Sequence, residues 1–240
     1  MPARVITVAA AKGGVGKTTL AYELAAALSG VLIDLDWDAG GATRMWGFDP
    51  QSLTRAPLLD ALERGPVGPP PRLRRRPNQP ALLPAHPDLA ASRLDSELVA
   101  DCIEAWSTAW EYPYVVVDTH PGANALTDGA MQVADLVVIP VVLGAREMDA
   151  LDAIVHDFAE YRLLLAPTMI PSVPPRRYVE RLAALAGERI TVAPPVSEHR
   201  WIRRRLRRAA LVSQPNPGVR VRAAAAEFRA VADLIEVTCG

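Results

Sequence analysis

The chain has 240 residues, 50% apolar and 22% charged, with 27 acidic against 26 basic side chains and a formal net charge of −1. That length buries a full core as one domain, residues 1–240, and demands no second. The near-neutral balance excludes a global attraction to nucleic acid, so any such binding must come from a local patch. The two cysteines, Cys102 and Cys239, lack metal-ligand spacing; they read as one buried thiol and one loose C-terminal thiol, compatible with a reducing compartment. No apolar run approaches the ~18 residues of a membrane span, and the N-terminus lacks a signal-peptide layout. The expectation is a cytoplasmic protein.

The first element is a β-branched run over residues 5–10, short enough for a buried strand. Lys12-Gly13-Gly14-Val15-Gly16-Lys17-Thr18-Thr19 follows, and then an Ala/Leu/Glu-rich run over 20–28 that reads as a helix. Strand, glycine turn and helix form the context a phosphate-binding loop requires. Three glycines let successive N–H groups converge on an anion, and the helix start adds unpaired donors and a positive dipole end. Lys17 is placed to reach β- and γ-phosphates and the Thr18 hydroxyl to sit on Mg²⁺.

The first glycine of the usual Gly-x-x-x-x-Gly-Lys-Ser/Thr pattern falls at Ala11, and Lys12 stands beside it. In this the segment closely resembles the deviant Walker A loop of the ParA/MinD family of ATPases. The resemblance implies ATP and Mg²⁺ as cofactors, and a Lys12 that reaches the nucleotide of the other subunit in an ATP-bound homodimer. The chain has 24 arginines and only two lysines, Lys12 and Lys17. A compact ammonium on a flexible stem is evidently needed at both places.

A second strand is expected over 31–36, after a very short turn at Ser29-Gly30, and a short helix over 57–65. Asp34 and Asp36 alternate onto one side of that strand and face the phosphate end. By resemblance Asp36 matches the aspartate that positions the attacking water, and Asp34 lies near Mg²⁺. The family's Asp-x-Asp-Pro-Gln-Gly-Asn is here Asp36-Trp37-Asp38-Ala39-Gly40-Gly41-Ala42-Thr43 after Asp34-Leu35. The Pro and Gln are lost and the aspartates kept, so hydrolysis is expected to survive. Residues 65–80 are rich in proline and arginine and should form an exposed, partly extended loop. Its Arg72, Arg74, Arg75 and Arg76 read first as a solvated charge run, with DNA contact second.

Residues 81–85 resemble the family's third strand, and 94–110 reads as a helix with Leu94, Leu98 and Cys102 along one face. The apolar runs 114–118 and 136–142 lack polar alternation, as strands buried on both faces do. Asp118 ends the first of them, about 100 residues after the phosphate loop, and fits a Walker B aspartate holding Mg²⁺ through a water. Thr119-His120-Pro121-Gly122 resembles the family's Asp-Thr-Pro-Pro turn, with His120 in place of a proline and given no role. A strand over 162–169, a helix over 176–186, a short strand over 189–192 and a helix over 221–237 complete the order. The fold class is α/β: a doubly wound, mostly parallel sheet of the P-loop NTPase type. Family alignment adds Met169 and Pro195, with Pro194, near the adenine.

Residues 199–211 are expected as a basic helix, with Ile202, Leu206 and Ala209-Ala210 on one face. Arg200, Arg203, Arg204, Arg205, Arg207 and Arg208 put six arginines within nine residues. DNA phosphate is the natural counterpart, bound without sequence preference and salt-sensitively; a solvated helix face and acidic lipid are the other readings. Family members bind nonspecific DNA through basic residues in this region. The membrane-binding relatives carry a basic amphipathic C-terminal helix, whereas residues 232–240 hold two acids and no base. The resemblance thus implies a slow, homodimeric, nucleoid-associated ATPase, without the extra N-terminal DNA-reading domain of some relatives. A ParB-type partner would stimulate it, and it would partition a plasmid or chromosome or position another cargo. The rival readings are a MinD-like membrane-associated division ATPase, an ATP-dependent small-molecule enzyme of the dethiobiotin synthetase type, and a nucleotide-gated scaffold.

Overall fold

The computed structural model describes residues 2–38, 41–49, 56–204 and 208–240, with the backbone alone of Arg203. Among them lie seven strands: β1 (Arg4–Val8), β2 (Val31–Asp34), β3 (Ala81–Leu83), β4 (Tyr114–Asp118), β5 (Leu136–Val141), β6 (Leu163–Pro167) and β7 (Ile190–Val192). They form one sheet in the order β3-β2-β4-β1-β5-β6-β7, every pair parallel. The helices are α1 (Lys17–Ala27), α2 (Ala42–Trp46), α3 (Pro57–Arg64), α4 (Ser96–Ala109), α5 (Ala125–Gln132), α6 (Ala145–Asp157), α7 (Arg176–Ala184) and α8 (Val219–Cys239). A parallel sheet needs crossover helices, and these cover both of its faces.

The two-residue period of each strand sorts its side chains between the layers. Ile6, Leu32, Val116, Val138 and Leu164 point to one face, against α1 and α8. Val5, Val31, Ile33, Val115 and Val117 point to the other, against α3, α4 and α5. Farther along the sheet Val137, Ile139, Leu163 and Leu165 join Met148 and Leu151 of α6. Each fully buried aliphatic side chain contributes about 1.5–3 kcal/mol, which is why these strands carry no polar alternation.

Local signals set the helix starts. The Asp95 carboxylate accepts from Leu98 N at 2.8 Å ahead of α4, and the Asn124 side chain accepts from Thr127 N at 2.9 Å ahead of α5. Where α4 and α5 cross, Gly129 admits the neighbouring backbone: a Cβ there would stand 2.5 Å from Ser96 O and 2.7 Å from Val99 Cβ. Gly129→Ala is therefore expected to lower stability by about 1–3 kcal/mol, read as an earlier urea midpoint; an unmoved midpoint would mean the two helices can part freely.

Two expectations are corrected. Cys239 is not loose: it is buried with the last turn of α8, as Cys102 is buried in α4. The described part of 199–211 is not an α-helix. Ile202–Arg204 is a single 3₁₀ turn, and the other described residues of the segment lie in turns, bends and irregular backbone. Tertiary bonds take the groups a helix would use: Ala210 N donates to Asn78 O at 2.8 Å, and Arg208 O accepts from the Tyr22 hydroxyl at 2.7 Å. Among the described residues no helix is long and apolar enough to cross a membrane.

Candidate nucleotide site

The carboxyl ends of β1, β2, β4 and β6 open on one edge, where a parallel α/β sheet places its ligand crevice. The loop leaving β1 turns through Gly14 (φ 84°) and Gly16 (φ 88°), left-handed values that favour glycine. Gly16 is the N-cap of α1 and provides no side-chain cap, so the first-turn N–H groups stay available to an anion. Thr168, just beyond β6, braces the loop by donating its hydroxyl to Val15 O at 2.8 Å.

Lys17 points back beneath this loop and is 5% exposed. Its Nζ donates to Asp118 Oδ1 at 2.6 Å and to Thr119 O, and stands 3.6 Å from Asp36 Oδ2. Burial works against its charge, yet Asp118 first, then Asp36 and Asp34, outweigh that and raise its pKa above the ordinary lysine value. Burial likewise raises the Asp118 carboxyl, with Asp36 adding to the effect and Lys17 opposing it.

Asp34 is fully buried and spends both oxygens inside the chain. Oδ2 accepts from the backbone N and the hydroxyl of Thr43, each at 2.6 Å, and Oδ1 accepts from Asp36 N at 3.1 Å. Burial first, and the Asp118 charge second, push its pKa up to about 7 against those bonds. Beyond it, Asp36 Oδ1 accepts from Asp38 N at 3.2 Å. Trp37 stacks flat on His120, with ring centroids 3.9 Å apart, and His120 Nε2 is 3.3 Å from Asp38 Oδ2. The replaced Pro-Gln pair and the replaced proline thus meet in space and tie the loop after β2 to the loop after β4.

A divalent ion fits here on two grounds. Asp118 Oδ2 is buried without a hydrogen-bond partner, which is costly unless something unseen satisfies it. Three carboxylates also surround a single ammonium, a balance that a second cation corrects. The Thr18 side chain is close enough to Asp118 to lower its pKa, so the two could share an ion.

Above these groups lies a cleft of about 480 Å³, lined by Lys12, Gly13, Gly14, Gly16, Lys17, Thr18, Thr19, Asp36 and Met169 among others. The structure therefore brings most of the sequence-derived site residues together. Val15 turns away from the cleft, and Pro195 is exposed outside its lining, where Val196 takes the place expected of it. Lys12 stands exposed at the rim, with no ion pair among the described residues. Sequence reasoning missed Thr168, Ser197, His199 and Phe228, which also line the cleft. Glu227 of α8 holds Ser197 (N at 2.9 Å, hydroxyl at 2.8 Å) and His199 (2.8 Å) in place. Thr168 could have been found from its position at the end of a parallel strand; the Glu227 clamp joins residues too far apart in sequence to leave a local signal.

Of the expected DNA-binding arginines, Arg200, Arg204 and Arg208 are exposed. Arg200 is 3.3 Å from Glu198, a solvent-screened pair of small worth. Arg205 and Arg207 lie outside the described residues, and the Arg203 side chain with them.

A family described as an AAA domain matches residues 3–169. The chromosome partitioning protein ParA of Caulobacter vibrioides is 30% identical over 181 residues, covering 70% of this chain and 67% of that protein. The chromosome-partitioning ATPase Soj of Thermus thermophilus is 30% identical over 171 residues, covering 69% and 66%. Among solved structures, a plasmid partition protein of Borrelia burgdorferi bound to AMPPNP superposes with a TM-score of 0.74 at 20% identity, covering 99% of each chain. The MinD cell division protein of Aquifex aeolicus gives 0.72 at 21% identity, covering 98% and 97%; both likenesses show the shared fold.

Proposed function

Because the chain belongs to the ParA/MinD family of P-loop ATPases, we propose that it is a slow ATPase that dimerises on ATP, binds DNA without sequence preference, and partitions a plasmid or chromosome or positions another cargo on the nucleoid. The observation that carries this reading is the Lys17–Asp118–Asp36 cluster beneath a glycine loop, with one Asp118 oxygen left unpartnered. Thr18 and Asp118 would hold Mg²⁺, which when bound neutralises charge on the β- and γ-phosphates. Lys17, now committed to Asp118 and Thr119 O, would turn toward the phosphates with its remaining N–H and by releasing one of these bonds. Asp36 would orient the attacking water, and Asp34 would act by fixing the loop that carries Asp36 rather than by touching the ion. Met169 and Val196 would border the base. Lys12 would complete the site of a second copy, and a ParB-type partner would stimulate turnover.

A mobility shift on duplex DNA with no nucleotide, with ADP and with ATP, at two salt concentrations, tests the whole reading. Retardation that requires ATP and weakens at the higher salt is expected; equal retardation in all three states would overturn the switch. Asp36→Ala is expected to slow hydrolysis by at least about 10²-fold, the scale of a lost positioning group, while ATP-dependent retardation persists. Rapid release from DNA on washing would refute the role of Asp36.

A further inference from the structure

We propose that Arg74 and Arg76, at the base of the proline-rich loop, join Arg208 in one strip that grips the phosphate backbone of duplex DNA. The proposal rests on the reading of DNA as the partner and extends the surface that partner would touch. The two arginine groups lie more than 120 residues apart in sequence, and the fold joins them directly. Gln79 donates from Nε2 to Arg208 O at 2.9 Å and to Trp46 O at 3.1 Å, and Asn78 O accepts from Ala210 N. Arg208 lies across Gly47, its Cδ 2.6 Å from where a Cβ would stand.

The loop is also held flat along the sheet. Arg74 exchanges backbone bonds with Leu82 of the edge strand β3, N to O at 2.7 Å and O to N at 2.8 Å. Extended backbone throws alternate side chains to opposite sides. Arg74 stands over the Phe48 ring at 5.1 Å and Arg76 over the Trp46 ring at 4.4 Å. Arg75 goes the other way, over Tyr112 at 5.7 Å. Phe48 and Trp46 pack with Tyr22, Trp201 and Ala210 in the layer that meets Arg208 through the Tyr22 hydroxyl, whereas Tyr112 packs in the opposite layer. So Arg74, Arg76 and Arg208 share a face, and Arg75 does not.

The chemistry of the strip selects its ligand. None of Arg74, Arg75 and Arg76 has a carboxylate partner among the described residues, and all three are exposed. A guanidinium lying on an aromatic ring keeps its N–H edges free for phosphate while losing less rotamer freedom on binding. The same stacking covers the rings, leaving no open platform for unpaired bases. The strip therefore favours a duplex backbone over single-stranded nucleic acid.

Fluorescence anisotropy of a duplex with the full chain and ATP, titrated with KCl, tests this. R74Q/R76Q is expected to reduce the slope of log affinity against log salt by about 2, near 0.9 for each phosphate that is no longer neutralised. R74K/R76K, which keeps both charges, and R75Q, on the other face, should leave the slope at the wild-type value. If R74Q/R76Q loses its near-UV circular dichroism, the single variant R76Q replaces it, with an expected reduction of about 1. A wild-type slope in the Gln variants, while R200Q/R204Q/R208Q lowers it, would end the strip at Arg208 and overturn the proposal with the DNA reading intact. No duplex binding by the wild-type chain in any nucleotide state would overturn the DNA reading itself. Loss confined to single-stranded RNA or to phosphatidylserine vesicles would overturn the choice of ligand.

Discussion

Lys17→Ala is expected to slow ATP hydrolysis by about 10²–10³-fold, the effect of removing one preorganised group that meets developing charge. It should also destabilise the nucleotide-free protein by about 3–5 kcal/mol, because a buried pair is broken rather than replaced. The structure couples the two losses in one atom. Lys17 Nζ is the hydrogen-bond partner of Asp118 at 2.6 Å and the nearest cation to Asp36 at 3.6 Å, with all three side chains largely buried. Without the ammonium, Asp34, Asp36 and Asp118 face one another with no ion-pair partner among the described residues. Mg²⁺ should therefore restore part of the lost thermal stability of the variant, a response that a simple packing defect would not give. Hydrolysis at the wild-type rate in Lys17→Ala would refute the assignment of this loop.

The second large effect is expected at Lys12, for the opposite reason. Lys12 is exposed at the cleft rim and has no ion pair among the described residues, so Lys12→Ala should change monomer stability by no more than about 0.5 kcal/mol. With a non-hydrolysable ATP analogue the wild-type chain should double its mass by light scattering, and the variant should stay at the monomer mass while still binding nucleotide. A doubled mass in Lys12→Ala would show that this lysine is not what completes the site across two copies. The pair of substitutions separates two ammonium groups of identical chemistry by burial alone: one is buried against its own chain's carboxylates, the other is exposed, as the proposed contact with a second copy requires.

The strands are the most legible part of the sequence, because burial on both faces leaves unbroken runs such as Val115-Val116-Val117, and the structure places every expected strand. The glycine loop is legible because its chemistry is local. The helices at Ala42–Trp46, Ala125–Gln132 and Ala145–Asp157 leave no clear bounds in the sequence. The first is five residues long, the second contains Gly129, and the third buries only Met148 and Leu151, so none carries a strong apolar stripe. The basic segment after Glu198 misleads in its form. Its apolar spacing fits a helix, but Trp201 and Ile202 pack on the core while its backbone bonds to Tyr22, Gln79 and Asn78. Propensity yields to such tertiary partners. The stacking of Trp37 on His120 could not be foreseen, since each residue is unremarkable alone.

The short helix α2 is anchored at both ends. At its start Thr43 is bonded twice to Asp34, and the Thr43 hydroxyl also receives Ala85 N at 2.9 Å. At its end Trp46 donates from Nε1 to Pro80 O at 2.9 Å, and its carbonyl accepts from Gln79. Five helical residues span only about 7.5 Å, too short and too firmly pinned to flex along their length. Its consequence is proximity: one short rigid peg ties the buried carboxylate beside the phosphate loop to the junction where Trp46, Gln79 and Arg208 meet.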